Sequence, residues 1–401
     1  MTWQSLKMKY LRLPEGKTIW SSLLPLSIAA YLLFSMISIS LSQIFLTLSL
    51  ITWIIMLIRE KQKFTFPSFF WPLLVYAGLS LISIAFSVDP KASLKDSKEL
   101  LLFIIVPIAY TAFQKEKILK KANLALLGSA YISSFYSIYS AIFKAQSWQR
   151  VSGFVSQLMT QAGLHLLFCC IALSMFLFTR ERIRYLWGLS FLLSLCALIL
   201  TLTRSSWIGL VIAVSLILFY YKPKSLILVP IAIGLIFLIS PKERKDRALS
   251  IFSLKYRSNI ERIEYLRVGI KIIKDYPLFG TGPDTVDKVF QNPKYGLSEG
   301  AKKNVHLHNN ILQTAAERGI PTLLAWLTFM VLTFISLLRL LKNENSSLKT
   351  FTVAALGALL GLFTAGLFEY NFADSEITVL FLYLITIPFS LARIRKKEAK
   401  E

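Results

Sequence analysis

The stretch VHLHNNILQTAAERGIPTL, residues 305–323, holds two of the chain's three histidines, His306 and His308, one residue apart. At helical spacing Asn309, Gln313 and Glu317 fall at i, i+4 and i+8 and make one polar stripe. Leu312, Ala315, Ala316 and Gly319 fill the other faces with apolar or small side chains. Glu317 and Arg318 stand just before a long apolar run that begins at Ile320. The pattern predicts a polar helix running up to a membrane span, with its titratable groups gathered at its start.

The rest of the chain supports that setting. Of its 401 residues 55% are hydrophobic, the mean hydropathy is +0.58, and runs long enough to cross a bilayer recur along almost the whole length. Twelve spans are predicted, near 20–36, 40–58, 68–86, 98–113, 122–143, 159–179, 185–203, 205–221, 225–240, 319–341, 349–368 and 376–392. Between the ninth and tenth lies one long segment, 241–318, rich in turn signals and clustered charge. Residues 1–240 are therefore read as helices 1–9, residues 241–318 as a cap loop with short helices, and residues 319–401 as helices 10–12 with a basic tail.

The formal net charge of +23 would point to nucleic acid in a soluble protein. Here it sets topology, and no nucleic-acid partner is expected. Short loops on one side carry 24 Lys and Arg, those on the other side carry 6, and the remaining 15 lie in 241–318. The positive-inside rule makes the richer side cytoplasmic, with both termini, and the cap extracytoplasmic. Cys169, Cys170 and Cys196 sit in apolar runs and form no metal or disulfide pattern. No cleavable signal is evident, because residues 1–17 are polar and basic.

Charge is nearly absent within the spans and collects at their outer ends. Arg204, in TRSSW, separates two spans that leave almost no loop. Arg262 and Arg267 lie on a helix predicted over 260–274, whose Ile263, Leu266, Ile270 and Ile273 form an apolar stripe placed against membrane or bundle. Arginines at this level bind phosphate bidentately; the plain alternative is interfacial anchoring, or pairing with Glu369, Asp374 and Glu376 in the last outer turn. His308 at a helix start is a candidate general base, its plain alternative a capping surface histidine. A zinc pair is disfavoured, since no Cys or third His lies nearby. His165, alone in an apolar span, reads as a packed polar group.

These residues together resemble the O-antigen ligase family and its relatives, the membrane O-antigen polymerases. His308-Asn309, nine residues, Gly319, two residues and Thr322 look like the ligase signature. TRSSW at 203–207 resembles the family's Ser/Thr-Arg segment closing a span; RIEYL at 262–266 and PLFGTGP at 277–283 resemble its Arg-rich helix and glycine turn. Leu266 stands where the family usually has Trp, which leaves Arg262 and Arg267 as alternatives for one role.

The resemblance implies an all-α membrane protein of about 12 transmembrane helices, GT-C-like, with one long periplasmic loop between helices 9 and 10. It implies a bacterial inner-membrane glycosyltransferase, metal-independent and without cofactor, acting on the periplasmic face. The donor would be a polysaccharide on undecaprenyl diphosphate, the acceptor a sugar hydroxyl of lipid A–core oligosaccharide, with inversion at the anomeric centre. His308 would be the base; Arg204, Arg262 and Arg267 would hold the diphosphate; His306, Asn309, Gln313 and Glu317 would support them. Membrane lipids surround it. A polymerase using the same lipid-linked donor and a lipid-linked sugar transporter are the alternatives, the latter disfavoured by the absence of a repeat or of charge within spans.

Overall fold

Backbone groups of an apolar run in lipid can pair only within their own segment, so such runs become helices. The computed structural model describes residues 12–13, 17–144, 150–155, 157–342 and 346–399. Their regular structure is helical, apart from a two-residue pairing of Arg12–Leu13 with Lys17–Thr18. The helices are α1 (Ile19–Phe34), α2 (Ile39–Arg59), α3 (Phe70–Ala85), α4 (Pro90–Asp96), α5 (Ile105–Ala112), α6 (Glu116–Phe143), α7 (Leu158–Phe178) and α8 (Arg184–Leu200). They continue as α9 (Arg204–Tyr221), α10 (Leu228–Ile239), α11 (Lys242–Leu249), α12 (Arg257–Asp275), α13 (Val286–Phe290), α14 (Asn310–Leu340), α15 (Ser346–Gly366) and α16 (Ser375–Glu398).

Seven of them, α2, α6, α7, α9, α14, α15 and α16, are long and apolar enough to cross a bilayer. The protein is a multi-pass membrane protein. The other five expected spans are helical but shorter: α1, α3, α8, α10, and a 3₁₀ stretch, Ser97–Ile104, running into α5. α7, α15 and α16 form the buried centre, whereas α2 and α14 turn most of their surface outward.

The helix ends sort into two layers. At one end Ser346 Oγ meets the Phe178 carbonyl, Arg393 caps the carbonyls of Tyr110 and Phe113, and Arg395 pairs with Glu116. At the other end Arg150 binds the 201–203 turn, and Ser83 and Ser93 bind residues 279 and 283 of the segment after α12. That second layer is the cap. It has its own core, in which Tyr265, Val268, Ile272, Val286, Phe290 and Leu307 are buried together.

α12 lies in the cap with Tyr265, Val268, Gly269 and Ile272 facing the protein. Ile263, Leu266 and Ile270 of the expected stripe face away from it, and only Ile273 packs against the cap core. Of the two surroundings foreseen for that stripe, the bundle is excluded for three of its four members.

The cap is stitched to the bundle at a break in α14. Gly319 has φ 83° and ψ 166°, and Pro321 has no N–H, so the carbonyls of Ala316 and Glu317 lose their helical partners. The turn 277–283 replaces them. Thr281 N donates to Ala316 O (2.9 Å), Gly282 N to Glu317 O (2.8 Å), and Ile320 N is received by Pro277 O (2.8 Å). Ser83 Oγ adds a bond to Glu317 O at 3.1 Å. The approach is backbone on backbone: a Cβ at Gly319 would stand 2.0 Å from Leu278 O, and one at Gly280 would stand 2.2 Å from the Glu317 carbonyl carbon. Only glycine fits either position.

Candidate active site

The site begins where the cap hands the chain to α14. Leu307 is buried in the cap core, and its N–H donates to Gln313 Oε1 at 2.6 Å. Asn309 is the N-cap: its Oδ1 accepts from Ile311 N (2.8 Å) and Leu312 N (3.0 Å). His308, held between an anchored neighbour on each side, adopts φ 51°. A left-handed histidine is uncommon and persists only where its surroundings over-determine it. Here the imidazole lies between Tyr265 of the cap core and the turn between α15 and α16.

That turn presents Glu369. Its Oε1 lies 3.0 Å from His308 Nδ1 and 3.3 Å from His306 Nε2. The rings stand 4.5 Å apart at their centroids, and Tyr265 covers His308 at 5.6 Å. Both asparagines of the sequence stretch hold the turn in place. Asn309 Nδ2 donates to Leu367 O (2.9 Å), while Asn310 donates to Asn371 Oδ1 (2.8 Å) and receives the Asn371 N–H (3.0 Å). Burial pushes the Glu369 carboxyl up, but the hydrogen bonds from His306 and then His308 outweigh it and hold the group well below the ordinary carboxylate range. A carboxylate on Nδ1 fixes the tautomer that leaves the His308 Nε2 lone pair free. The His308 side chain is 20% exposed, so the ring is open to a ligand on part of its surface.

His306, His308 and Glu369 also place one ligand atom each within 4.8 Å of one another, a set able to hold a cation. The third ligand missing from the sequence stretch is thus supplied from 61 residues away.

Four arginines gather beside this trio. Arg204 is buried and both its terminal nitrogens are engaged: Nη1 donates to Ser250 O (2.8 Å) and Ser250 Oγ (2.9 Å), Nη2 to Ser258 Oγ (2.5 Å) and Asn259 Oδ1 (2.8 Å). Arg247 donates to Leu202 O and to the Tyr256 hydroxyl, and Tyr256 lies under both guanidiniums. Arg150 spends Nε and Nη2 on Thr201 O and Thr203 Oγ1. The Arg262 guanidinium makes no hydrogen bond or ion pair with any described residue. Burial lowers the pKa of Arg150 and Arg262 below the usual guanidinium range; Arg247 adds to that and Glu369 opposes it in both. The cluster is cationic, partly desolvated and short of counter-charge, which is what an anion site requires.

The sequence-derived residues therefore divide. His306, His308, Asn309 and Gln313 form one unit with Glu369, and Arg204 and Arg262 flank it. Arg267 is exposed on α12, two residues and so about 200° round the helix from Tyr265, and does not join them. Glu317 faces elsewhere: its Oε1 accepts from Thr285 N (3.2 Å) and Val286 N (3.4 Å), and its Oε2 pairs with Arg318. Arg318 bridges on to Asp96 at 2.9 Å and to the Tyr370 hydroxyl at 3.2 Å, beside Glu369. Glu317 thus helps fasten cap, α4 and the Glu369 turn. His165 is a packed polar group, its Nε2 2.7 Å from Gln161 Nε2.

Sequence reasoning did not single out Arg150, Arg247 or Asn310, nor the pairing of Glu369 with the two histidines. The available signals were the Arg-X-Ser/Gly loop after α6, a basic helix after Pro241, and a glutamate beside Asn371 in the outermost turn.

Residues 189–327 match the family model described as O-antigen ligase. The match takes in Arg204, Arg247, α12, both histidines and the Gly319 break, and stops short of Glu369. An uncharacterized protein of Haemophilus influenzae is 28% identical over 336 residues, which cover 76% of this chain and 82% of that protein.

Proposed function

We propose, from the match of residues 189–327 to the O-antigen ligase family model, that the protein is a glycosyltransferase moving a glycan from a polyprenyl diphosphate to a sugar hydroxyl. The acceptor is lipid A–core oligosaccharide, the carrier undecaprenyl diphosphate, and the membrane the bacterial inner membrane, crossed twelve times with the cap periplasmic. The single observation that carries this reading is Glu369 Oε1 bonded to both imidazoles beside a cluster of guanidiniums.

In this reading His308 Nε2 takes the proton of the acceptor hydroxyl as its oxygen attacks the anomeric carbon. The bond from that carbon to the diphosphate oxygen breaks, and the diphosphate leaves on its lipid. One displacement inverts the centre. Charge builds on the departing oxygen, where Arg262 and the free edges of Arg150 and Arg247 stabilise it. Arg204, whose terminal N–H groups all hold the cap, contributes its charge and the placement of residues 250–259. Glu369 keeps His308 in the competent tautomer and offsets the imidazolium that forms. No step needs a metal.

Purified protein in liposomes, with a lipid-linked glycan and lipid A–core, tests this directly. Expected is glycan-laddered lipid A–core on a gel. Lengthening of the lipid-linked glycan without modification of lipid A–core would instead identify a polymerase, and no covalent product from either acceptor would remove the transferase reading.

A further inference from the structure

Three apolar side chains of α12 face neither the bundle nor the cap core. Ile263, Leu266 and Ile270 are 37%, 46% and 44% exposed, and Leu278, just beyond the helix, is 61% exposed. At about 100° per residue the three fall within an arc of about 60°, on the far side of the helix from the buried Val268 and Ile272. Arg267, Lys271 and Lys274, all exposed, occupy roughly the next 60°. None of these cations is hydrogen-bonded or ion-paired to a described residue.

The ends of α12 show how it lies. At its start Ser258 and Asn259 receive Arg204, the first residue of α9. Beyond its end Pro277 O receives Ile320 N, where the apolar run of α14 begins, and Phe279 stacks on Phe86 at 4.0 Å, at the outer mouth of α3. Both ends of a helix about 28 Å long are thus fastened at the level where spans leave the bilayer, so its axis runs along that surface. A helix in that plane, with an apolar stripe beside a row of cations, suits the boundary between acyl chains and anionic headgroups. Water would leave a contiguous apolar patch uncovered. An apolar protein surface would cover the stripe and leave the cations unanswered; lipid answers both.

We infer that the outward face of α12 seats the cap on the membrane. Ile263, Leu266, Ile270 and Leu278 sink into the headgroup layer of the leaflet on the cap side, and Arg267, Lys271 and Lys274 meet the phosphates of anionic phospholipids. Tyr265, about 140° round the helix from Ile270, covers His308. The depth of the seat therefore sets how high the imidazoles stand over the lipid. That height bears on catalysis only under the transferase reading, but the seating is testable without transfer.

Nitroxides on Leu266→Cys and Ile270→Cys read the seat, with the full-length protein in nanodiscs of phosphatidylglycerol and phosphatidylcholine. The exposed Cys196 is replaced by Ser, and the buried Cys169 and Cys170 remain. The ratio of collisions with oxygen to collisions with an aqueous nickel chelate should be several-fold higher at both positions than at Asn292→Cys, an exposed site elsewhere in the cap. Omitting phosphatidylglycerol should shift both labels toward water. Lys271→Glu with Lys274→Glu should abolish that lipid dependence in a protein whose melting temperature in detergent is unchanged. Labels at 266 and 270 as open to the nickel chelate as the label at 292 would overturn the inference. So would labels open in nanodiscs and closed in native membranes, which would assign the stripe to a protein partner. A seat of equal depth with and without phosphatidylglycerol would overturn the role given to the cations.

Discussion

His308 and Glu369 are 61 residues apart in the chain and 3.0 Å apart in space, Nδ1 against Oε1. The carboxylate is buried and its second oxygen has no partner among the described residues. Glu369 is thus committed to the imidazoles, and their chemistry should depend on it.

His308→Ala is expected to lower transfer about 10²–10⁴-fold, the usual contribution of a positioned base, with the protein folded and the donor still bound. Glu369→Gln keeps the shape and loses the charge. It should lower kcat roughly tenfold to a hundredfold, leave donor KM nearly unchanged, and alter the pH profile of the rate. His306→Ala should be milder than His308→Ala. Activity should persist in EDTA; an enzyme silenced by EDTA and revived only by added metal would make the trio a metal centre.

The arginines should separate by role. Arg262→Lys is expected to reduce transfer about tenfold, near 1.4 kcal/mol, because lysine keeps charge and loses the fork. Arg204→Lys should reduce it at least as far and also loosen residues 250–259, seen as faster proteolysis of the cap. Arg267→Ala should stay within about twofold of the parent protein. A large loss at Arg267 with none at Arg262 would reverse their assignment.

Gly319→Ala and Gly280→Ala should each leave little folded protein, since the added methyl meets backbone and neither side can yield. Gly234→Ala, with nothing within 4 Å of the added methyl, should express normally. Size-exclusion profiles of the three detergent-solubilised variants decide it.

Stability should fall as pH rises toward neutrality. Burial lifts the Asp374 carboxyl to about 7, against the hydrogen bond from Thr160 and with added repulsion from Glu376. A carboxyl whose folded pKa exceeds its unfolded value of about 3.9 holds its proton more tightly when folded, so stability is lost between about pH 4 and 7. Asp374→Asn keeps a capping oxygen for Ile377 N–H and should flatten the dependence. Equal melting temperatures for the parent protein at pH 5 and pH 8 would contradict the shift.

Orientation is open to a direct measurement. Cysteine at Asn292, in the cap, should react with an impermeant thiol reagent in intact cells, and cysteine at Lys120, at the opposite end of the bundle, should not. The reverse pattern would place the histidines in the cytoplasm and end the periplasmic reading.

Much of this was legible in the chain because it was local. Asn309 caps because a short polar amide preceding a helix has nearby N–H groups to bind, and Pro321 after Gly319 announces a break. Arg204 stood out because two spans left it no loop. Glu369 was visible only as one of three carboxylates in the last turn. Its pairing is set by where the α15–α16 turn docks on Asn309 and Asn310, a tertiary fact with no periodic trace. The sequence left the α12 stripe to membrane or bundle, and only the tertiary packing decides between them: Tyr265 and Gly269 meet His308 and Leu307, which turns Ile263, Leu266 and Ile270 away from the bundle.

The interlock at Gly319 turns the half-helix 310–318 into a measuring rod. Its lower end is clamped by the 277–283 turn and its upper end carries His308, so nine residues fix a reach of about 13.5 Å between clamp and imidazole. One residue added to it would raise the ring by about 1.5 Å and swing it by about 100°, out of line with Glu369. The spacing in the sequence is a length standard cut to the distance between two docking points, and side-chain changes along the rod should be forgiven where changes in its length are not.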